Sequence, residues 1–329
     1  MNRRIAMLAL FGAGISFAMT AIAGAQGTNY PTQPIRMVVP FAPGGASDFA
    51  ARLIQPGMSA FLGQQIVIEN RAGAAGNIGM EVAARAAPDG YTVYLGNVGT
   101  VAVNPSLFDT LAIKPLKDFI PITLVADTPG ILIAGPNFPP NNLKEMIDYV
   151  KARQGKINFA SPGSGSLNRL EMEVFRRDAG LDMTHVPYKG GAGPAVNDLL
   201  GGHVEVMFVT ISSALSNVKA GKLKAYAVTT RERVPSAPEL PTMLELGWTN
   251  SVSSSWQGLF VPAGTPRPIV DKLYAAALHA MQDQSVRDRM IQGGVFPVTS
   301  KSPEEFRGYI EAETAKWGQV VKETGARPD

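Results

Sequence analysis

Short runs of aliphatic and β-branched residues recur along the chain, each followed by a bend rich in glycine, proline and hydroxyl residues and then by apolar positions at helical spacing. The first run, Ile35-Arg36-Met37-Val38-Val39-Pro40-Phe41, has the length and composition of a buried strand. It leads into Ala42-Pro43-Gly44-Gly45-Ala46-Ser47-Asp48, a turn ending in helix-capping residues. A helix is expected from Asp48, with Phe49, Leu53 and Ile54 inward and with Pro56-Gly57 kinking or interrupting it. Gln65 to Glu69 predicts a second strand. Gly73, Gly76 and Gly79 open another helix to about Ala87, and Tyr91 to Leu95 predicts a third strand. Strand, bend and helix in alternation predict right-handed βαβ units and a parallel sheet.

The same pattern returns further along. Ile131 to Ala134 and Lys156 to Ala160 read as strands, Leu143 to Ala152 as a helix. Ser161-Pro162-Gly163-Ser164-Gly165-Ser166 is the next bend, and a helix follows with Leu170, Val174 and Phe175 as its apolar stripe. His185 to Tyr188 is extended, Pro194 to Leu200 a short helix, and Val204 to Val209 and Ala225 to Thr229 further strands. Near the C-terminus, Thr265-Pro266 starts a helix, and Ser302-Pro303-Glu304-Glu305 is a capping box with Pro at the first helical position. Phe306, Ile310, Trp317 and Val321 give the last helix its apolar face. Two sets of βα units with no linker between them predict two α/β lobes joined by strands that pass from one to the other.

The N-terminus follows a different pattern. Arg3 and Arg4 precede an apolar run from Ile5 to Ala23, and Ala21-Ile22-Ala23 and Ala23-Gly24-Ala25 offer small-x-small cleavage sites, which together describe a secretory signal peptide over residues 1–25. Its removal changes the charge picture. The chain carries 30 Lys and Arg against 27 Asp and Glu, and losing the two leader arginines leaves 28 against 27. With neither a basic tract nor interleaved aromatic and basic residues, neither nucleic acid nor a membrane surface is an expected partner. The chain has no cysteine, so a structural disulfide is excluded. The expected product is exported.

Three bends, Pro43 to Asp48, Gly73 to Gly79 and Ser161 to Ser166, each feed a helix. A helix N-terminus has unpaired N–H groups and about half a positive charge, so it attracts carboxylates and phosphates. In open α/β sheets ligands bind outside the carboxyl ends of the strands, where such bends around one crevice would hold an anion without arginine. Three hydroxyls and two glycines between Ser161 and Ser166 exceed what capping needs. Enzymatic patterns are missing. Gly73, Gly76 and Gly79 have the wrong spacing for a dinucleotide, no GxxxxGK[ST] is present, and neither Ser164 nor Ser166 sits in GxSxG. His185, His203 and His279 stand apart without metal-ligand spacing. No cofactor, metal or catalytic residue is expected.

Pro40 to Asp48, Glu69 to Gly76, Ala87-Pro88-Asp89-Gly90-Tyr91-Thr92, Val186 to Gly190, Asp198 to Gly202 and Gly258 to Pro266 occur in this order and together resemble the Bug family of tripartite tricarboxylate transporter receptors. The resemblance covers essentially the whole chain after the leader. It implies an α/β, two-lobed periplasmic binding protein fold of type II-like form, each lobe a mostly parallel sheet flanked by helices, with a ligand cleft between them. One lobe would hold residues 26–124 and 225–329, the other residues 125–224. The implied function is capture of a small organic carboxylate by a monomer and its delivery to the membrane components of a tripartite transporter, not catalysis. A sensory module acting on a membrane signalling kinase is the alternative.

Carried over by motif, the first lobe would contribute Phe41, Ala42, Gly44, Ala46, Ser47 and Asp48, with Gly99 and Thr100 from the loop after Leu95. Across the cleft, Ser161, Ser164, Gly165 and Ser166 would grip a carboxylate, Tyr188, Lys189 and Gly190 would shape the adjoining loop, and Thr210 would bear on specificity. Arg169-Leu170 stands where many relatives have His-Leu. Arg169 adds a permanent charge and a bidentate fork that could reach a second carboxylate or an aromatic ring, or simply point into solvent.

Overall fold

The chain's short aliphatic runs assemble into one nine-stranded sheet in the computed structural model, which describes residues 29–328; the expected leader lies outside the described residues. The first βα units are β1 (Ile35–Val39), α1 (Ala46–Leu62), β2 (Ile66–Asn70), α2 (Asn77–Ala84) and β3 (Thr92–Asn97), with β1 parallel to both β2 and β3. A π-helical turn at Gly99–Val103 and the short helices α3 (Asn104–Leu107) and α4 (Pro115–Asp118) lead into β4 (Phe119–Ala134). Then come α5 (Leu143–Lys151), β5 (Asn158–Ser161), α6 (Leu167–Ala179), β6 (Thr184–Pro187), α7 (Ala192–Gly201), β7 (Val206–Thr210), α8 (Leu215–Lys219) and β8 (Lys224–Val228). The chain ends with β9 (Ser254–Pro262), α9 (Arg267–Gln282), α10 (Gln284–Gln292) and α11 (Pro303–Thr324).

Strand β4 organises the rest. Over Phe119 to Pro129 it pairs with β9, which in turn pairs with β3. From Gly130 onward it pairs with β7, and its Ile131 to Ala134 also pair with β8. One strand therefore belongs to two half-sheets, β2-β1-β3-β9-β4 and β8-β4-β7-β5-β6. Each half keeps three parallel strands; β9 in the first half and β4 in the second run antiparallel to their neighbours. The changeover lies at Pro129/Gly130, and the chain returns to the first half near Ser253/Ser254, where β9 begins. These changeovers in pairing fall later in the chain than 124/125 and 224/225. β8 pairs within the second half, and Val234, Ala237, Leu240 and Met243 after it are buried in that half's cores.

Period-two alternation sorts side chains between the faces. Met37, Val39, Leu259 and Val261 point into a core with α1 and α9, while Val38, Tyr94 and Phe260 point into one with α11. In the second half Ile131 and Ile133 face one core and Leu132 and Ala134 the other. Helix α6 straddles this division: Leu167 and Leu170 lie in a core of the first half, Met172, Phe175 and Ala179 in one of the second.

The Pro56-Gly57 pair does not interrupt α1, which runs through it to Leu62. A Cβ at Gly57 would lie 2.9 Å from the Ala280 Cα, so the glycine admits the backbone of α9. Packing along that contact outweighs the local cost of proline, about 3 kcal/mol. The Ser302 hydroxyl caps α11 by accepting from the Glu305 N–H at 3.1 Å, as its capping box predicts. Among the described residues no helix is long and apolar enough to cross a membrane.

Phe306 is fully buried against Trp256 and Phe260, and its ring covers Gly258, where an added Cβ would lie 2.3 Å from the ring edge. Phe306→Ala is expected to cost about 3–5 kcal/mol, read from the urea midpoint of unfolding.

Candidate functional site

Helices α1, α6 and α7 start where β1, β5 and β6 end, and their first residues meet in the gap between the half-sheets. A cavity there is walled by Phe41, Gly45, Ala46, Ser47, Asn97, Val98 and Gly99 from the first half and by Pro162, Ser166, Leu167, Asn168, Ala192 and Thr210 from the second. Ser255 and Gln257 of β9 complete the wall. The caps differ. Gly45 and Gly191 leave α1 and α7 without a side-chain cap, whereas the Ser166 hydroxyl accepts from the Arg169 N–H at 3.2 Å. No residue of the wall carries a formal charge; its polar groups are hydroxyls, amides and main chain. This arrangement can solvate an anion through partial charges at helix ends.

Of the residues expected to bind, Phe41, Ala46, Ser47, Gly99, Ser166 and Thr210 are in the wall. Several others lie just behind it with their polar atoms engaged. The Ser161 hydroxyl meets His185 Nε2 at 2.7 Å and accepts from the Gly163 N–H at 3.2 Å. Thr100 is fully buried and accepts from the Tyr94 hydroxyl at 2.8 Å. Ser164 is buried and its carbonyl accepts from Arg169. The Gly190 carbonyl accepts from the Ala42 N–H at 3.1 Å, a main-chain link between the halves. Tyr188 donates to Asp198 at 2.7 Å, Lys189 is exposed, and Gly44, at φ +92°, donates its N–H to Asp48.

Arg169 does not point into solvent. It is buried, pairs with Glu173 at 3.6 Å, and donates to the carbonyls of Ser164 and Arg327. Its charge is taken up at the rear of α6, where the C-terminal segment passes. Asp48 also has its carboxyl engaged by neighbours. Burial opposes its ionisation, but hydrogen bonds from Arg52, the Gly44 N–H and Asn70 outweigh burial and hold the carboxyl below its ordinary value of 3.8.

Two of the three glycine-rich bends wall the cavity; the third, Gly73 to Gly79, buttresses it. A Cβ at Gly163 or Gly165 would lie 3.5 Å from the Ala75 Cα or 3.1 Å from its Cβ, respectively. The third helix end is instead that of α7. Contact between the halves is close at several glycines. A Cβ at Gly99 would lie 2.8 Å from the Gly165 carbonyl oxygen, and one at Gly191 would lie 3.2 Å from the Phe41 ring. Gly165 is tighter still, since its Cβ would fall 1.8 Å from Asn104 Oδ1.

The sequence reading missed Asn97, Asn168, Ser255 and Gln257. Gln257 is fully buried, its Oε1 accepting from Thr128 at 3.0 Å and its Nε2 donating to the Ser255 carbonyl at 3.0 Å. Its only signal was a polar residue inside Ser255-Trp256-Gln257-Gly258-Leu259, an otherwise buried strand.

A two-lobed fold with a neutral, dipole-walled cavity between its halves defines a solute-binding protein. The family model for the tripartite tricarboxylate transporter family receptor matches residues 50–326, and the chain belongs to that family of solute-binding receptors. It is 37% identical to protein BugT of Bordetella pertussis over 99% of both chains. The solved periplasmic binding protein BugD superposes with a TM-score of 0.88 at 39% identity, covering 91% of this chain and 100% of that one. MatC of Rhodopseudomonas palustris, solved with malate, gives 0.85 at 38%, covering 89% and 100%. An R. palustris protein solved with adipate gives 0.87 at 33%, covering 91% and 100%.

Gly99→Val is expected to prop the halves apart, giving a larger radius of gyration than wild type by small-angle scattering. For Asp48, a carboxyl held low by its donors contributes stability that is fully present above about pH 3.8 and lost as pH falls through the folded value. Asp48→Asn should therefore lose stability at neutral pH and show a smaller further loss on acidification, measured by urea unfolding at a series of pH values.

Proposed function

We propose that this protein is an extracytoplasmic receptor that captures a small organic carboxylate in the cleft between its lobes and delivers it to the membrane components of a tripartite tricarboxylate-type transporter. One observation carries this reading. The starts of α1, α6 and α7 open on a single cavity whose wall contains no formal charge, so an anion is the solute those dipoles favour. The malate and adipate in the two R. palustris relatives support a carboxylate in particular. Residues 29–129 with 253–328 form one lobe and residues 130–252 the other, closing by rotation about the Gly130 and Ser253 crossovers. The protein acts in the periplasm after removal of residues 1–25, and binds without chemical change to the ligand.

Phe41, Ser47, Gly99, Ser166 and Thr210 serve as contacts from the motif set, joined by Asn97, Asn168, Ser255 and Gln257. Ala42, Gly44, Asp48, Thr100, Ser161, Ser164, Gly165, Tyr188, Lys189 and Gly190 act as the frame that holds them, and Arg169 fixes α6 from behind.

Thermal-shift measurements of the mature protein against mono-, di- and tricarboxylates test the reading, because a bound ligand raises the melting temperature by mass action. At least one small carboxylate should raise it, and silence across the whole series would refute the proposal. Ser166→Ala should weaken binding by about 1–3 kcal/mol where its hydroxyl meets a desolvated carboxylate. The same change removes the α6 cap at a cost in stability of about 1 kcal/mol, so calorimetric Kd and unfolding midpoint are read separately.

A further inference from the structure

Glu171 lies on α6 one turn beyond the cavity and is fully enclosed, with 3% of its surface exposed. Its two oxygens reach in different directions. Oε2 accepts from Asn168 Nδ2 at 2.7 Å, and Asn168 is part of the cavity wall. Oε1 accepts from the Ser253 hydroxyl at 2.5 Å, where the chain returns to the first half-sheet. The carboxyl rests on the bare Cα of Gly130, at the other crossover; a Cβ there would lie 2.8 and 2.9 Å from its oxygens. Thr229 ties the crossovers together, its hydroxyl accepting from the Gly130 N–H at 2.8 Å and donating to the Ser253 carbonyl at 2.8 Å. A single acid thus links a residue of the cavity wall to the two points about which the lobes would turn.

We propose that Glu171 is a positioning residue for ligand capture: a neutral carboxyl in the closed form that ties Asn168 to the crossovers, so that closing over an anion takes up one proton from solvent. The inference rests on the carboxylate-receptor reading above. The groups packed on Glu171 from β4, the segment after β8 and the start of β9 are Gly130, Thr229 and Ser253, all uncharged. On α6 its charged neighbours in sequence, Arg169 and Glu173, pair with each other. The nearest acid along β4, Asp127, is hydrogen-bonded to Ser254 and faces Glu313 and Lys316 of α11. Burial pushes the Glu171 carboxyl above its ordinary range, and its two hydrogen bonds only partly offset this. An anion in the adjoining low-dielectric cavity opposes a second negative charge further.

Protonation also changes what Asn168 offers the ligand. With Glu171 ionised, Asn168 commits an N–H to it. With a proton on Oε2, the amide turns over, Oδ1 accepts from the carboxyl, and Nδ2 is released toward the cavity as a donor to the anion. Proton and carboxylate then bind together.

Titration calorimetry on the mature protein decides the matter, using the tightest-binding member of a carboxylate panel that includes malate and adipate. Runs between pH 5.5 and 8 in buffers of different ionisation enthalpy give the number of protons taken up. The expected result is uptake approaching one proton, with Kd rising by up to about tenfold per pH unit through the titrating range. E171Q should lose this proton uptake and the part of the pH dependence that goes with it; contributions common to both proteins cancel in the difference, which isolates Glu171. S253A removes a donor from the carboxylate and should move the midpoint to higher pH, an independent reading if E171Q does not fold. Binding without proton uptake, or an E171Q slope equal to wild type, overturns this inference alone. Failure of every carboxylate to bind at any pH overturns the receptor reading with it.

Discussion

An anion held away from water has to be solvated by something, and here the protein offers helix ends instead of side-chain cations. Partial charge at an N-terminus is fixed by the backbone, costs no side-chain entropy to order, and falls off within about the first turn. Such a site works only if the helix ends converge on a small volume and the surrounding wall adds no opposing charge. Both conditions are met where α1, α6 and α7 begin. The nearby ionic groups are taken up elsewhere: Asp48 by Arg52, Gly44 and Asn70, and Arg169 by Glu173 and main-chain carbonyls.

That convergence depends in turn on how closely the halves approach. Gly99 against the Gly165 carbonyl, and Gly191 against the Phe41 ring, leave no room for a Cβ without displacement. Glycine at these positions serves close approach, to a backbone at Gly99 and to a ring at Gly191. Gly165 and Gly99 keep ordinary negative φ values, outside the left-handed region. A glycine-rich bend can therefore signal an interface as well as a phosphate-type loop, and the sequence alone does not distinguish the two.

The βα units were legible because each element carries its own local signal. Hydrophobic runs gave β1, β2, β3, β5 and β7 to within a few residues, and the capping box marked the start of α11. Strand β4 was legible only from Ile131 onward, because Pro121, Asp127 and Pro129 interrupt the aliphatic run before it. In the structure the irregularities fall at bulges beside Pro121 and between Leu124 and Ala126, where the register shifts without ending the pairing. Strand β9 went unrecognised as a strand because Ser253, Ser254 and Ser255 resemble a loop, and with it went Ser255 and Gln257 of the cavity wall. Motif resemblance pointed to helix-end residues that line the cavity and equally to Ser161, Thr100 and Tyr188, whose hydroxyls bond to His185, Tyr94 and Asp198; motif position does not say which hydroxyls face the cavity.

The division of α6 between two cores has a mechanical consequence. Leu167 and Leu170 are embedded with α11 and Trp256, while Phe175 is embedded with Phe208 and Trp248 on the other side. The lobes cannot part as two free bodies without drawing one end of this helix out of oil and into water. Exposing two leucines costs on the order of 3–6 kcal/mol, comparable with the free energy of binding a small solute at about millimolar to tens-of-micromolar affinity. If the lobes open and close as proposed, the helix is a spring as well as a wall, and its stiffness would set how much of the time the cavity stands open to an incoming molecule.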